Sequence, residues 1–133
     1  MWVSGFASSL RAKWLLFAVL CIPLGLATRP LKRHFDALGS ALGDALWALL
    51  VFFLVCAALP KWPLSRRVAL AIAIAFVVEV SQLWHTSWLD ALRHTTLGAL
   101  AIGGSFSFGD LACYSVGVTL GALLTRRLQR VPK

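Results

Sequence analysis

Acidic side chains are scarce in this chain: five in 133 residues, against thirteen Lys and Arg. Charged residues of both signs make up only 14% of it, and 59% is hydrophobic. That shortage of charge excludes a small water-soluble domain, which needs far more polar surface than this. Cysteine is sparse as well. Cys21, Cys56 and Cys113 form no CxxC pair and are odd in number. They read as small buried hydrophobes rather than a disulfide framework or a zinc site. No HExxH, GxSxG or comparable nucleophile motif occurs, and no cofactor motif. The formal charge of +8 contains no basic stretch interleaved with aromatics in a soluble context. It therefore argues against nucleic acid as a partner. It fits a membrane protein, whose Lys and Arg collect on cytoplasmic loops.

What the chain has instead is long apolar runs. Four are read as transmembrane helices, at 14–29, 41–60, 66–84 and 108–127. The first follows Arg11 and Lys13, and "GLA" at 25–27 imitates a signal-peptidase site, but the segment is read as a retained first span. Pro23 and Gly25 predict a kink in it, tolerable where neighbouring helices re-satisfy the backbone. Pro60 and Pro63 close the second span. Between the third and fourth lies 87–104, where Ser87 is placed to cap a helix with Asp90 in capping-box position. Its most apolar part, 97–104, is far short of the ~20 residues a crossing needs, and Gly103 and Gly104 break it. The fold expected is an all-α four-transmembrane-helix bundle with an interfacial or re-entrant helix over 87–104, all in one integral membrane domain, 1–133.

With the N-terminus inside, this arrangement puts nine basic residues on the inner side and four on the outer. A fifth crossing would give eight against five. The positive-inside rule thus favours four spans with both termini cytoplasmic. The same topology puts all five acids, Asp36, Asp44, Glu79, Asp90 and Asp110, at or near the outer side. His34, His85 and His94 fall there too.

Asp44 opens the second span and Asp110 the fourth, so each is either an N-terminal charge complementing the helix dipole or part of a polar site. Glu79 is harder to place. It sits in the C-terminal half of an apolar helix, where the dipole disfavours it, and an acid at membrane depth costs roughly 2.5–3.5 kcal/mol on insertion scales. It should turn inward and pair, and Arg29 and Arg93 are the nearest bases by level. Gln82, at i+3, shares its face. Glu79 is then either a structural ion pair or a functional group. Tyr114, one turn after Asp110, either joins this cluster or is an interfacial aromatic. Trp47, Trp84 and Trp88 read as belt anchors. Gly117 and Gly121 form a GxxxG pair suited to close helix packing.

"GLATRP" at 25–30, "GDALWALLVFF" at 43–53 and "VVEVSQLWHTSWLDALRHTTLGALAIGGSFSFGDLACYSVG" at 77–117 resemble a family of small bacterial integral membrane proteins of unknown function, often labelled the YjgA ribosomal-maturation family. More distantly the chain is similar to VanZ-like membrane proteins, which carry E-x-x-Q, an arginine, then D-x-x-x-N-x-x-G. Glu79 and Gln82, Arg93, Asp110 and Gly117 match that pattern, while Tyr114 stands where those proteins have Asn. The VanZ resemblance implies work at the outer face of the bacterial envelope, in tolerance of glycopeptides.

Three functions follow as expectations. The first is an outward-facing pocket in the bacterial cytoplasmic membrane, formed by Arg29, Asp44, Glu79, Gln82, Arg93, Asp110 and Tyr114. It would bind a phospholipid or polyprenyl-linked headgroup, because the arginine fork suits phosphate. The second is an accessory subunit, self-associating or docked on a larger membrane complex through the glycine face. The third is a hydrolase or transferase with Glu79 as general base, Asp110 assisting. His85 or His94 would then join Asp110 at a metal, although nine residues apart they are poorly spaced for one. No metal or cofactor is expected under the first two.

Overall fold

Apolar, Leu- and Ala-rich stretches form helices almost throughout the computed structural model, which describes residues 2–103 and 105–130, with side chains for 9–103 and 105–129. Gly104 and the side chain of Arg130 lie outside the described residues. Six helices follow in order: α1 (Trp2–His34), α2 (Asp36–Ala58), α3 (Leu64–Ser81), α4 (Ser87–Arg93), α5 (Thr96–Ala101) and α6 (Phe108–Arg130). No strand occurs among the described residues.

Three segments are long and apolar enough to cross a membrane: Ser9–His34, Asp36–Ala58 and Phe108–Gln129. Only 17%, 33% and 28% of their most apolar windows is buried within the molecule. So much outward-facing Leu, Val and Phe needs lipid around it, and the chain is built as a small membrane protein. α3 is not among the three: Arg66, Arg67 and Glu79 fall within its 18 residues.

Several boundaries differ from the sequence reading. α1 and α2 are longer than 14–29 and 41–60, and only Phe35 separates them. The first span is expected to end at 29, yet the helix runs through Pro23 and Pro30 to His34. The basic residues at that end complement its C-terminal dipole. The hairpin is tight enough that a Cβ on Gly39 would lie 2.5 Å from the Lys32 backbone nitrogen. Because α2 begins at Asp36, Asp44 stands in its interior and is not a helix-opening residue. The segment 87–104 splits into α4 and α5, too short to be one element. Thr86, not Ser87, is the N-cap of α4, without a side-chain capping bond. Asp90 is therefore free of any capping box and pairs elsewhere.

α2 is the spine. It packs along α1 on one side and against α6 and α3 on the other, and α3 also meets α6. The core is Trp14, Ala18 and Cys21 from α1, Ala48, Phe52, Phe53 and Cys56 from α2, Ala71 and Ala75 from α3, and Tyr114 and Val118 from α6. Trp14 stacks on Phe53 at 5.9 Å. Gly117 is buried with its Cα face against the Ala45 carbonyl. One turn later, a Cβ on Gly121 would stand 2.5 Å from the Phe52 ring. The GxxxG pair is thus what lets α6 approach α2. Cys21, Cys56 and Cys113 are all free thiols.

Candidate functional site: a sealed carboxylate beside an open groove

Glu79 ends up fully buried, 0% exposed, on the inward face of the last turns of α3. A carboxylate accepts hydrogen bonds and donates none, and three donors meet it. Gln82 Nε2 donates to Oε2 at 3.1 Å, Tyr114 Oη donates to the same oxygen at 2.8 Å, and the Ser107 backbone N–H donates to Oε1 at 2.7 Å. Tyr114, 7% exposed, is held by its ring against Trp47 at 5.1 Å. Three elements thus converge on one carboxylate: α3, the strap before α6, and α6 itself.

Neither arginine expected to pair with Glu79 does so. Arg93 is buried too, but its guanidinium turns to the end of α3. It donates to the Ser81 carbonyl at 2.6 Å, the Trp84 carbonyl at 2.9 Å and Asp90 Oδ1 at 2.9 Å. Ser81 closes α3, at the negative end of its dipole, and Trp84 lies in the turn that follows. Their carbonyls attract the guanidinium and tie α4 back onto α3. Asp90 also meets His85 Nδ1 at 3.3 Å. Desolvation opposes ionisation of Asp90, but hydrogen bonds from Arg93 and His85 outweigh it and hold its carboxyl below the usual range. Among the described residues no three His, Cys, Asp or Glu side chains gather as a metal site.

Gln82 is fixed by two acceptors. Its Nε2 donates to Glu79 and, at 2.9 Å, to the carbonyl of Ile102 where α5 ends. Gly103 follows in the left-handed region, φ +70°, which favours glycine, and a Cβ there would stand 2.8 Å from Gln82 Nε2. With both N–H groups of Gln82 spent on oxygens, its amide cannot be flipped without setting oxygen against oxygen. Its own Oε1, closed to solvent, has no hydrogen-bond partner among the described residues.

In front of Gln82 and Tyr114 lies a groove of about 690 Å³ between α1, α2, α3 and α5. Cys21, Ile22, Leu50, Leu54, Ile74 and Val78 make an apolar wall along it. At the hairpin end the lining turns polar, with Thr28, Arg29, Lys32, Asp44 and Gln82. Glu79 does not line it and sits behind Gln82 and Tyr114. Arg29 is exposed and, among the described residues, has no hydrogen-bond or ion-pair partner. Asp44 lies close enough to Asp110, Glu79 and Lys32 to feel their charges. Asp110 stands in the first turn of α6, where the dipole favours it.

The sequence-derived set therefore divides. Glu79, Gln82 and Tyr114 form one hydrogen-bonded node, with Asp44 and Asp110 beside it. Arg29 faces the groove. Arg93 belongs to neither and is a structural clamp. Trp84 and Trp88 are exposed as interfacial anchors would be, whereas Trp47 is corrected from anchor to a groove-lining partner of Tyr114. Lys32 and the Ser107 amide were missed. Lys32 is i+3 from Arg29, a spacing that puts both on one helix face; the Ser107 backbone has no sequence signal.

A family model described as "Protein of unknown function (DUF2809)" matches residues 34–118, well over half of the chain. The chain belongs to that family. No solved structure matches it.

Proposed function

We propose that the protein binds a phosphate-bearing amphiphile of the bacterial cytoplasmic membrane, with its apolar chains along the groove and its headgroup at Arg29 and Lys32. The observation that carries this is the groove's division into an apolar length and a cationic end. Arg29 and Lys32 supply donors matched to a phosphate, and neither is engaged in an ion pair of the described residues. A membrane phospholipid and a polyprenyl-linked phosphate share this chemistry. In this reading α3 also crosses, giving four spans, with Arg67 and Glu79 buried and Arg66 exposed near its N-terminal end. α4 and α5 form the interfacial element between the third and fourth spans. Both termini face the cytoplasm and the polar end of the groove faces outward, as the nine-to-four division of basic residues favours. The spacing of Glu79, Gln82, Arg93 and Asp110 adds the VanZ-like resemblance, which points to the same face of the envelope.

The alternatives gain less. Glu79 has no open side from which to act as a base, since it is fully buried and its oxygens accept from three protein donors. The glycines that would dock a partner are buried against α2.

Native mass spectrometry in mild detergent tests the proposal, with palmitoyl-oleoyl phosphatidylglycerol and undecaprenyl phosphate added in separate arms. One of the two stays bound to the natural protein, and the mass of the adduct says which. The double variant Arg29→Ala, Lys32→Ala weakens retention at least about tenfold, since hydrogen bonds to charged groups contribute roughly 1.5–3 kcal/mol each. Equal retention by natural protein and variant refutes it.

A further inference from the structure

The polar end of the groove holds charge of both signs: Arg29 and Lys32 from α1, and Asp44 from α2. Helix packing in the hairpin sets them side by side. A Cβ on Gly39 would stand 2.5 Å from the Lys32 backbone nitrogen, and one on Gly43 would stand 3.2 Å from Thr28 Oγ1. Thr28 is therefore opposite Gly43, and Asp44 lies within about one helical turn of the level of Arg29. Asp44 is near enough to Lys32 to feel its charge, yet among the described residues no ion pair joins them. Its side chain is half-buried and not closed off, and among the described residues no N–H donates to it. The neighbour within hydrogen-bonding reach is another carboxyl, Asp110 from α6, and Glu79 adds its charge from behind. Two carboxyls can share one proton and still have oxygens to spare as acceptors. A ligand that brings only a phosphate satisfies the two cations but sets its own negative charge beside this one, and like charges brought together are disfavoured. A headgroup with a cationic donor next to its phosphate satisfies both sides of the groove.

Resting on the amphiphile-binding reading above, we infer that the site selects a phospholipid whose headgroup carries an ammonium next to its phosphate, as phosphoethanolamine does, and that Asp44 receives the ammonium. The phosphate goes to Arg29 and Lys32. An ammonium has three donors and no acceptor, the complement of a carboxylate, which only accepts. Place singles out Asp44 among the acids. Glu79 is fully buried with three protein donors, Asp90 is tied to Arg93 and His85, and neither lines the groove. Two other headgroups fail for different reasons. A simple alkyl phosphodiester has no cation for Asp44. A choline headgroup has the cation but no N–H, and its methyl groups hold the charge away from the carboxylate oxygens.

The test compares two probes with the same chains and the same phosphate: dioleoyl phosphatidylethanolamine, and dioleoyl phosphatidylethanol, which has a hydrogen in place of the ammonium. The full-length protein in a nonionic detergent is titrated with each, and the affinities are read by native mass spectrometry. The ethanolamine lipid binds about tenfold more tightly, the equivalent of one good hydrogen bond to a charged group, although it is the less anionic of the two. Asp44→Asn, which removes the charge and keeps the shape, brings the two affinities within about twofold of each other. Asp90→Asn, outside the groove, leaves the tenfold ratio in place. If Asp44→Asn does not fold, the side-chain carboxyl resonance of Asp44 in the natural protein serves instead, shifting with phosphatidylethanolamine and not with phosphatidylethanol. Equal affinity of the natural protein for both lipids, or tighter binding of phosphatidylethanol, overturns the inference and leaves the amphiphile-binding reading standing. A preference that survives Asp44→Asn, or a resonance that responds to both lipids alike, overturns the role given to Asp44. If neither lipid binds, both readings fall.

Discussion

Two polar regions sit side by side at the hairpin end of this bundle, and they differ in what is left over. Around Glu79 each carboxylate oxygen has found a donor from the protein, and the group is closed off from solvent. Across the groove, Arg29 is exposed and, among the described residues, unengaged. The first pattern is that of a structural core in which burial of a charge has been made tolerable by hydrogen bonds. The second is that of a surface waiting for chemistry from outside. The teaching is that depth and charge alone do not identify a binding residue. In the proposed reading Glu79, the most conspicuous residue in the sequence, supports the site from behind, and the groups that would face a ligand are the less conspicuous ones around it.

The contrast breaks most visibly at Glu79 itself. Glu79→Ala strands the Tyr114 hydroxyl, a Gln82 N–H and the Ser107 N–H in a buried space, and should cost at least about 3 kcal/mol of stability. Thermal unfolding in detergent measures it. Arg29→Ala, in the same assay, moves stability by no more than about 0.5 kcal/mol, as a surface substitution does. Equal effects at the two positions would erase the distinction.

Arg93 comes next in size. Arg93→Ala releases the Ser81 and Trp84 carbonyls and the link to Asp90, at a cost of about 2–3 kcal/mol. Hydrogen exchange should then rise in α4 and α5 while the core of α2 stays protected. Phospholipid retention at Arg29 should persist; its loss would return Arg93 to the binding set. Tyr114→Phe is milder still. The ring stays on Trp47 and one of three hydrogen bonds to Glu79 goes, for about 1.5 kcal/mol.

The smallest effect concerns pH. Asp90 has its carboxyl held below the ordinary value of 3.8 in the folded protein. A depressed folded value gives stability that is present above the unfolded pKa and is lost as pH falls through the folded one. The unfolding temperature should therefore dip on acidification below about pH 4 in the natural protein. In Asp90→Asn that part of the dip should be absent.

The sequence made some of this readable. A carboxylate in a run of Ala, Val and Phe had to turn inward, and it does. Gln82 at i+3 had to share its face, and it does. GxxxG announced a close helix contact, and α6 makes one with α2. The partner of Glu79 was not readable. Tyr114 is 35 positions away and Ser107 acts through its backbone, so no local spacing joins them to Glu79. Arg93 was misassigned because matching opposite charges ignores the carbonyls at a helix end, which compete for a guanidinium and, here, win. Asp44 was misread for a different reason. The second span was expected to start at 41, but α1 carries Pro30 and the basic residues to His34 and α2 starts at Asp36. The groove was out of reach altogether, being a space among four elements and not a property of any one.

The glycine seam of α6 has a practical corollary. Spacing of this kind is commonly probed by bulky substitution on the supposition that two molecules meet there. In this chain the seam is already occupied from within, with the Ala45 carbonyl and the Phe52 ring where a neighbour's backbone would have to come. Enlarging Gly117 or Gly121 would pry one polypeptide apart along its own spine. An experimenter who saw complexes vanish after such a change would be watching collapse, not separation.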